Sequence, residues 1–352
     1  MQKNKRNFRR GAVLGGVLLA LLLIFLPYLI SAHYAGANAS KHKPDHVNQN
    51  KPIHDVSPTS NPSVQSYQHV FLIMMENTSY RSLIGNTNAP WINSATQTYA
   101  VATSYYGVAH PSQPNYLAIT SGSVQGVHSD GTVTVHAPNL VDQLEAHGKT
   151  WKAYMQSMFA HGNTNKLTTS VGDYARKHNP FVSYADIQQN PDRMANVVDF
   201  SQFATDLTNN TVPNFVWISP DACHDMHGHA ANKPNDPCSN EQGVIQLGDT
   251  FLHTTVDEIT HSSVWTGNSV IVITWDESDT PFSDTSGCCD AHPGGGHVLT
   301  LAISHKQQTP RSSHTPYNHY SLLATLEDDW QLGCLGATCD TAHVRPMRDL
   351  LP

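Results

Sequence analysis

The sequence predicts an α/β fold: a doubly wound, mostly parallel sheet with helices on both faces. Three observations carry this. Continuous apolar runs such as Val70-Phe71-Leu72-Ile73-Met74-Met75 read as strands buried on both faces. Stretches with helical spacing of apolar residues lie between those runs. Each run also ends in polar residues, and in open α/β sheets the carboxyl edge is where ligands bind.

Taken in order, the first run leads into Glu76-Asn77-Thr78-Ser79-Tyr80. After Thr103-Ser104-Tyr105-Tyr106 comes the stretch around which the chain is organised, residues 110–122. Pro111 and Pro114 suit a first helical turn, where backbone N–H groups have no internal partner. Tyr116, Leu117 and Ile119 continue the helix and Gly122 stops it. Ser112 therefore lies at or near a helix N-terminus, where free N–H groups and the dipole favour an anion. A short amphipathic helix over 139–148 and a strand over 150–155 follow. Residues 160–200 are polar, with turns at Asn179-Pro180 and Asn190-Pro191, and read as an excursion from the sheet.

The sheet pattern returns with Phe215-Val216-Trp217-Ile218, which runs into Ser219-Pro220-Asp221-Ala222-Cys223-His224-Asp225-Met226-His227-Gly228. A loop over 229–247 precedes a helix marked by Phe251, Leu252, Val256 and Ile259. Another strand, 269–275, ends in Asp276-Glu277-Ser278. Gly294-Gly295-Gly296-His297 then leads into a strand over 298–304, and Asn318-His319-Tyr320-Ser321 opens a last helix.

The chain has 352 residues, 39% of them hydrophobic and 14% charged, enough for a sizeable core. Lys3, Lys5, Arg6, Arg9 and Arg10 precede an apolar stretch over 11–30, and Ala37-Asn38-Ala39 offers small residues for a signal peptidase. Residues 1–39 thus read as a signal peptide or a retained membrane anchor. Either way the rest is exported, with membrane attachment through that segment left open. Residues 40–66, rich in Pro, Asn and Ser, form a flexible linker, and 67–352 the catalytic domain. Without residues 1–39 the chain carries 15 basic against 28 acidic groups, a balance of −13. That excludes nucleic acid as a natural partner. Six cysteines suit an oxidising exterior; their pairing is not readable, although Cys334–Cys339 is the easiest local bridge.

Four distant segments bring chemistry to strand ends or helix starts. Glu76-Asn77, Asp276-Glu277 and Asp221/Asp225 are hard oxygen donors for a divalent cation. His224, His227 and His297 suit metal binding or proton transfer. Ser112 supplies a hydroxyl beside an anion site, as phosphoryl transfer to serine requires. Any one segment has a bland reading as a cap, a turn or packing; their combination points to a site.

Glu76-Asn77-x-Ser79-Tyr80, His110-Pro111-Ser112-x-Pro114-Asn115-Tyr116, Pro220-Asp221 with His224-Asp225-x-His227, Trp275-Asp276-Glu277, Gly294-Gly295-Gly296-His297 and Tyr317-Asn318-His319-Tyr320-Ser321 resemble, in content and order, the secreted phosphoesterase family. That family holds acid phosphatases and bacterial phospholipases C within the alkaline-phosphatase-like superfamily. The resemblance implies an alkaline-phosphatase-like fold and at least one divalent metal ion held by Glu76, Asn77, Ser112, Asp276 and Glu277. It makes Ser112 the nucleophile, with His224 and His227 as catalytic histidines. Asn115, His110, Asp221, Asp225 and His297 are left to bind substrate. The implied activity is a phosphomonoesterase of acid phosphatase type working through a phosphoserine on small phosphate esters. Its rival is a phospholipase C or other phosphodiesterase using the same site; a different class is a binding protein whose catalytic groups are structural.

Overall fold

The computed structural model describes residues 66–229, 235–279, 283–306 and 309–351. The signal or anchor segment 1–39, and the linker 40–66 apart from its last residue, lie outside the described residues. Among the described residues no helix is long and apolar enough to cross a membrane.

The longer elements, in chain order, are β1 (His69–Met75), α1 (Pro90–Thr98), β2 (Ala100–Tyr106), α2 (Ser112–Ser121), α3 (Leu140–Ala146), β3 (Trp151–Met155), β4 (Val197–Asp199), β5 (Phe215–Ser219), α4 (Glu241–Thr260), β6 (Ser269–Trp275), β7 (His297–Ser304), β8 (Arg311–Ser313), β9 (Tyr317–Asn318) and α5 (His319–Trp330). They build a nine-stranded sheet in the order β8-β2-β7-β6-β1-β5-β3-β4, with β9 also on β2. Every residue of β1, β5 and β6 is buried, as uninterrupted apolar runs require.

Helices cover both faces, and side-chain parity shows which. Phe215 and Trp217 project to one side of β5, where Trp330 of α5 lies 6.5 Å and Tyr116 of α2 lies 5.9 Å away between ring centres. Phe71 is registered with Val216, so it projects to the other side. There it meets Phe203 at 6.4 Å, and the neighbouring Phe200 reaches Phe251 of α4 at 5.3 Å.

Three sequence expectations change. The strand over 298–304, extended here to His297, runs antiparallel to both neighbours, β2 and β6. Among the described residues no helix separates it from β6, and antiparallel pairing is the usual one for a strand that returns without a helical crossover. The excursion over 160–200 returns to the sheet, since Val197–Asp199 adds to its far edge beside β3. The helix expected after a loop over 229–247 begins earlier, at Glu241, because the Asn240 side chain accepts the Gly243 N–H and caps it.

The cysteines pair as Cys223–Cys238, Cys288–Cys289 and Cys334–Cys339. The first ties the loop after β5 to the approach to α4. Two glycines are required where backbones meet. Gly122 ends α2 at φ +66°, and a Cβ there would lie 1.9 Å from the Leu335 carbonyl oxygen. The Gly295 N–H donates to the Gly107 carbonyl, the Gly107 N–H donates to the Gly296 carbonyl, and a Cβ on Gly295 would lie 2.5 Å from the Ala109 carbonyl oxygen.

Candidate active site

Sheet register assembles the site. Met75 of β1 lies opposite Trp275 of β6, so the residues that follow each strand emerge side by side: Glu76-Asn77 from one, Asp276-Glu277 from the other. The Asp276 N–H donates to the Met75 carbonyl at 3.0 Å, and the Asn77 N–H donates to Asp276 Oδ1 at 3.0 Å. The loop after β5 closes the third side, its Asp225 carbonyl accepting the Glu76 N–H at 2.8 Å.

Helix α2 presents Ser112 to this edge as its first residue. Its Oγ lies 3.0 Å from Glu76 Oε2, 2.9 Å from Glu277 Oε1 and 3.3 Å from Asn77 Oδ1. Asn77 and Glu277, 200 positions apart in the chain, thus meet around one hydroxyl. Ser112, Glu76, Asp276 and Glu277 are all essentially inaccessible to solvent.

Burying three carboxylates together is unfavourable unless cations compensate. Burial, then the nearby Glu76 and Glu277 charges, push the Asp276 carboxyl well above its ordinary range. Burial also raises Glu277, with Glu76 adding to it and His110 opposing. Glu76 goes the other way: burial alone would raise it, but His178, Lys177 and His227 together pull it below the usual carboxylate range. The Tyr116 phenol donates to Glu76 Oε1 at 2.7 Å and stays protonated, since burial and the Glu76 charge push its pKa far up.

These donors fit a hard divalent cation. All are oxygens, and Asp276 Oδ2 is buried without a hydrogen-bond partner, an arrangement that a cation satisfies and a structural role does not. Imidazoles border the same carboxylate: Glu76, His178 and His227 offer ligand atoms within 4.8 Å of one another.

The structure brings together Glu76, Asn77, Ser112, Asp276, Glu277, His110 and His227 from the sequence-derived set. His110 Nδ1 pairs with Glu277 Oε2, and its Nε2–H donates to the Asp284 carbonyl at 3.0 Å. Burial disfavours its charge, but Glu277 and Asp284 outweigh that and raise its pKa. His227 stands at the open side, Nδ1 3.8 Å from Glu76 Oε2, and lines a cavity of about 610 Å³ with Asn77, Met226, His229, Glu241 and Asp279.

Others take supporting places. Asp225 is buried, receives the His227 N–H at 2.8 Å and lies 3.3 Å from His178 Nδ1. His224 pairs with Asp221 at 2.7 Å, and Asp221 also accepts from Ser157 at 2.6 Å; neither has a hydrogen bond or ion pair to the Ser112 cluster. His297 stacks on Tyr80 at 4.6 Å and donates from Nε2 to the Thr103 carbonyl at 3.0 Å. Asn115 departs from the expected phosphate contact. Its Oδ1 accepts the Val108 and Ala109 N–H groups at 2.8 and 3.0 Å, and its Nδ2 donates to the Ala109 and Pro111 carbonyls. A fully buried amide with four backbone bonds has none left for a phosphoryl oxygen.

Sequence reasoning missed His178, Lys177 and Asp130. His178 Nε2 lies 3.1 Å from Glu76 Oε1, and its ring stacks on Tyr116 at 5.6 Å. Burial opposes its charge, yet Glu76 and Asp225 hold it protonated up to about 9. Lys177 Nζ lies 3.2 Å from Ser112 Oγ and 2.8 Å from Asp130 Oδ2. The one sequence signal was three consecutive basic residues, Arg176-Lys177-His178, before the Asn179-Pro180 turn.

The "Phosphoesterase family" model matches residues 86–333. An acid phosphatase from Aspergillus fumigatus is 27% identical over 290 residues, covering 81% of this chain and 59% of that protein. A phosphatidylinositol-3-phosphatase from Mycobacterium tuberculosis is 29% identical, covering 82% of this chain and 84% of that protein. The chain thus spans about three fifths of the fungal acid phosphatases it matches. Among solved structures, a Vibrio parahaemolyticus protein in the alkaline phosphatase superfamily superposes with a TM-score of 0.52 at 15% identity, covering 82% of this chain and 71% of that one. That likeness shows a shared fold. With the family match running from the approach to α1 through the end of α5, the chain belongs to the phosphoesterase family.

Proposed function

We propose that this chain is an exported, metal-dependent phosphomonoesterase of acid phosphatase type that works through a phosphoserine at Ser112. The observation that carries the reading is the Ser112 hydroxyl held within 3.3 Å of Glu76, Asn77 and Glu277 on a buried, polar sheet edge. The acid phosphatases among its relatives support the choice of ester.

Ser112 Oγ attacks phosphorus in line, the O–P bond to serine forming as the bond to the alcohol breaks. The serine proton has two acceptors in reach, Glu277 Oε1 and Glu76 Oε2. His227, at the mouth of the cavity, gives a proton to the departing alkoxide. Deprotonated, it then takes a proton from the water that attacks the phosphoserine, and Ser112 regains its own. His178, fixed between Glu76 and Asp225, keeps Glu76 ionised and aimed at the hydroxyl. His110 does the same for Glu277. A divalent cation held by Glu76, Asn77, Asp276 and Glu277 supplies positive charge that favours the ionised hydroxyl and offsets charge on the phosphoryl oxygens.

The test compares the wild type and Ser112→Ala on p-nitrophenyl phosphate and bis-p-nitrophenyl phosphate with divalent metal added. Monoester turnover lost in the variant supports the reading. Diester preference moves it to a phosphodiesterase, which the cavity beside His227 has room for. No turnover in either protein leaves a binding protein. Export is supported by the N-terminal charge and hydropathy pattern and by the paired cysteines; cell fractionation tests it.

A further inference from the structure

Two donors beside Ser112, the Gln113 N–H and the Lys177 ammonium, are held by one of the chain's own carboxylates. Asp130 Oδ1 accepts the Gln113 N–H at the start of α2, at 3.0 Å, and its Oδ2 lies 2.8 Å from Lys177 Nζ. Lys177 reaches Ser112 Oγ at 3.2 Å with the same ammonium. We propose that Asp130 is an internal stand-in for substrate: the phosphoryl group of a phosphate monoester, or inorganic phosphate, displaces it and takes Lys177 and the Gln113 N–H. This deepens the proposed function and rests on Ser112 being the group that receives phosphorus.

Several features make Asp130 the mobile member. Its side chain is 35% exposed, against 21% for Lys177. It lies between α2 and α3, on a stretch without helix or strand, and moving it out returns a carboxylate to water. Lys177 has no such freedom, since its ammonium faces the buried Glu76 and Asp276 charges, and removing it leaves those acids less compensated. A partly exposed ion pair holds weakly, so its loss is a small barrier to exchange.

The exchange is favourable in charge. A phosphoryl dianion offers the same fork of oxygens as a carboxylate with twice the charge, and an ammonium holds it more strongly. The junction also has a donor in reserve. Gln113 is buried, its Oε1 accepts the Gly131 N–H at 2.8 Å, and its Nε2 has no partner among the described residues. The helix start is therefore one of three donors gathered at the loop that Asp130 would vacate. As long as Asp130 is seated, the binding-competent fraction is reduced, and apparent phosphate affinity falls by that fraction.

The test measures inorganic phosphate binding to the metal-supplemented protein by calorimetry, and inhibition of p-nitrophenyl phosphate hydrolysis by the same ion. Wild type, Asp130→Asn, Lys177→Met, Lys177→Arg and Asp130→Asn/Lys177→Met are compared. Removing the competitor's charge makes Asp130→Asn bind phosphate about three- to tenfold more tightly and lowers KM to match. Lys177→Met weakens phosphate binding by about tenfold or more, and Lys177→Arg restores part of it. Adding Asp130→Asn to Lys177→Met tightens phosphate binding less than Asp130→Asn does alone, because only the Gln113 N–H is then contested.

If Asp130→Asn binds phosphate no better, or worse, while esters are still hydrolysed, Asp130 merely positions Lys177 and the inference is wrong with the enzyme intact. If no variant hydrolyses an ester yet Asp130→Asn binds phosphate more tightly, the displaced carboxylate stands and the catalytic reading falls. Thermal melts accompany each variant; should Lys177→Met not fold, Asp130→Asn and Lys177→Arg decide.

Discussion

His178 and His224 present the same chemistry, an imidazole with an acid partner, in two different settings. His178 is buried between Glu76 and Asp225, and Glu76 itself touches the serine hydroxyl. His224 is about a third exposed and pairs with Asp221, which also accepts from Ser157 and from the Cys223 N–H. Both are more basic than an ordinary histidine: His178 because two carboxylates overcome its burial, His224 chiefly through its hydrogen bond to Asp221. Basicity therefore does not separate them. What separates them is the acid each one holds, because His178 pairs with an acid on the Ser112 hydroxyl and His224 with one on a turn.

The comparison is sharpest at the acids themselves. Asp276→Asn removes a buried carboxylate whose free oxygen fits a cation, and turnover is expected to fall by about 10³-fold or more. A chelator should abolish activity likewise, and divalent ions should restore it in the wild type more readily than in the variant. His227→Gln comes next. Removing an acid that protonates the leaving group costs about 10²-fold on alkyl phosphates, and far less on p-nitrophenyl phosphate, whose leaving group needs no proton. A uniform loss on both substrates would give His227 another role. His178→Gln should lower kcat by about 10–100-fold, as for partners that orient a ligand, while His224→Gln stays within about threefold of wild type. Equal losses in these two variants would erase the distinction drawn above.

A third buried acid tests the other half of the contrast, burial without a cation. Glu327 on α5 is held by Gln143 at 3.1 Å, and burial pushes its pKa up to about 7. A carboxyl raised in the folded state is most favourable when neutral. The stability it contributes is complete below pH 4.5 and is lost as pH climbs to about 7. Glu327→Gln should therefore add up to about 3 kcal/mol to stability at neutral pH and nothing at pH 4, read from denaturant midpoints.

Much of this was legible in the sequence because it is local. Apolar runs place β1, β5 and β6, the prolines and Gly122 bracket α2, and polar residues after each strand mark the edge. What stayed hidden depends on contacts across the fold. His178 lies 102 positions beyond Glu76, in a stretch of short 3₁₀ turns without apolar periodicity, so nothing nearby in the chain signals its direction. The phosphate contact expected of Asn115 went astray for a related reason. Motif position brings a residue near a site, but only the backbone around it says which hydrogen bonds it has left.

The four bonds of the Asn115 amide have a mechanical consequence. They clamp the turn carrying His110 to the first coil of the helix carrying Ser112, so the two side chains are tied to one another through the same amide. Bulky esters that push the rim outward would deform the looser loops beyond residue 122, leaving the hydroxyl where it was. Asn115→Asp, which cannot donate to the Ala109 carbonyl, would unfasten that clamp and let reactivity drift with every motion of the rim.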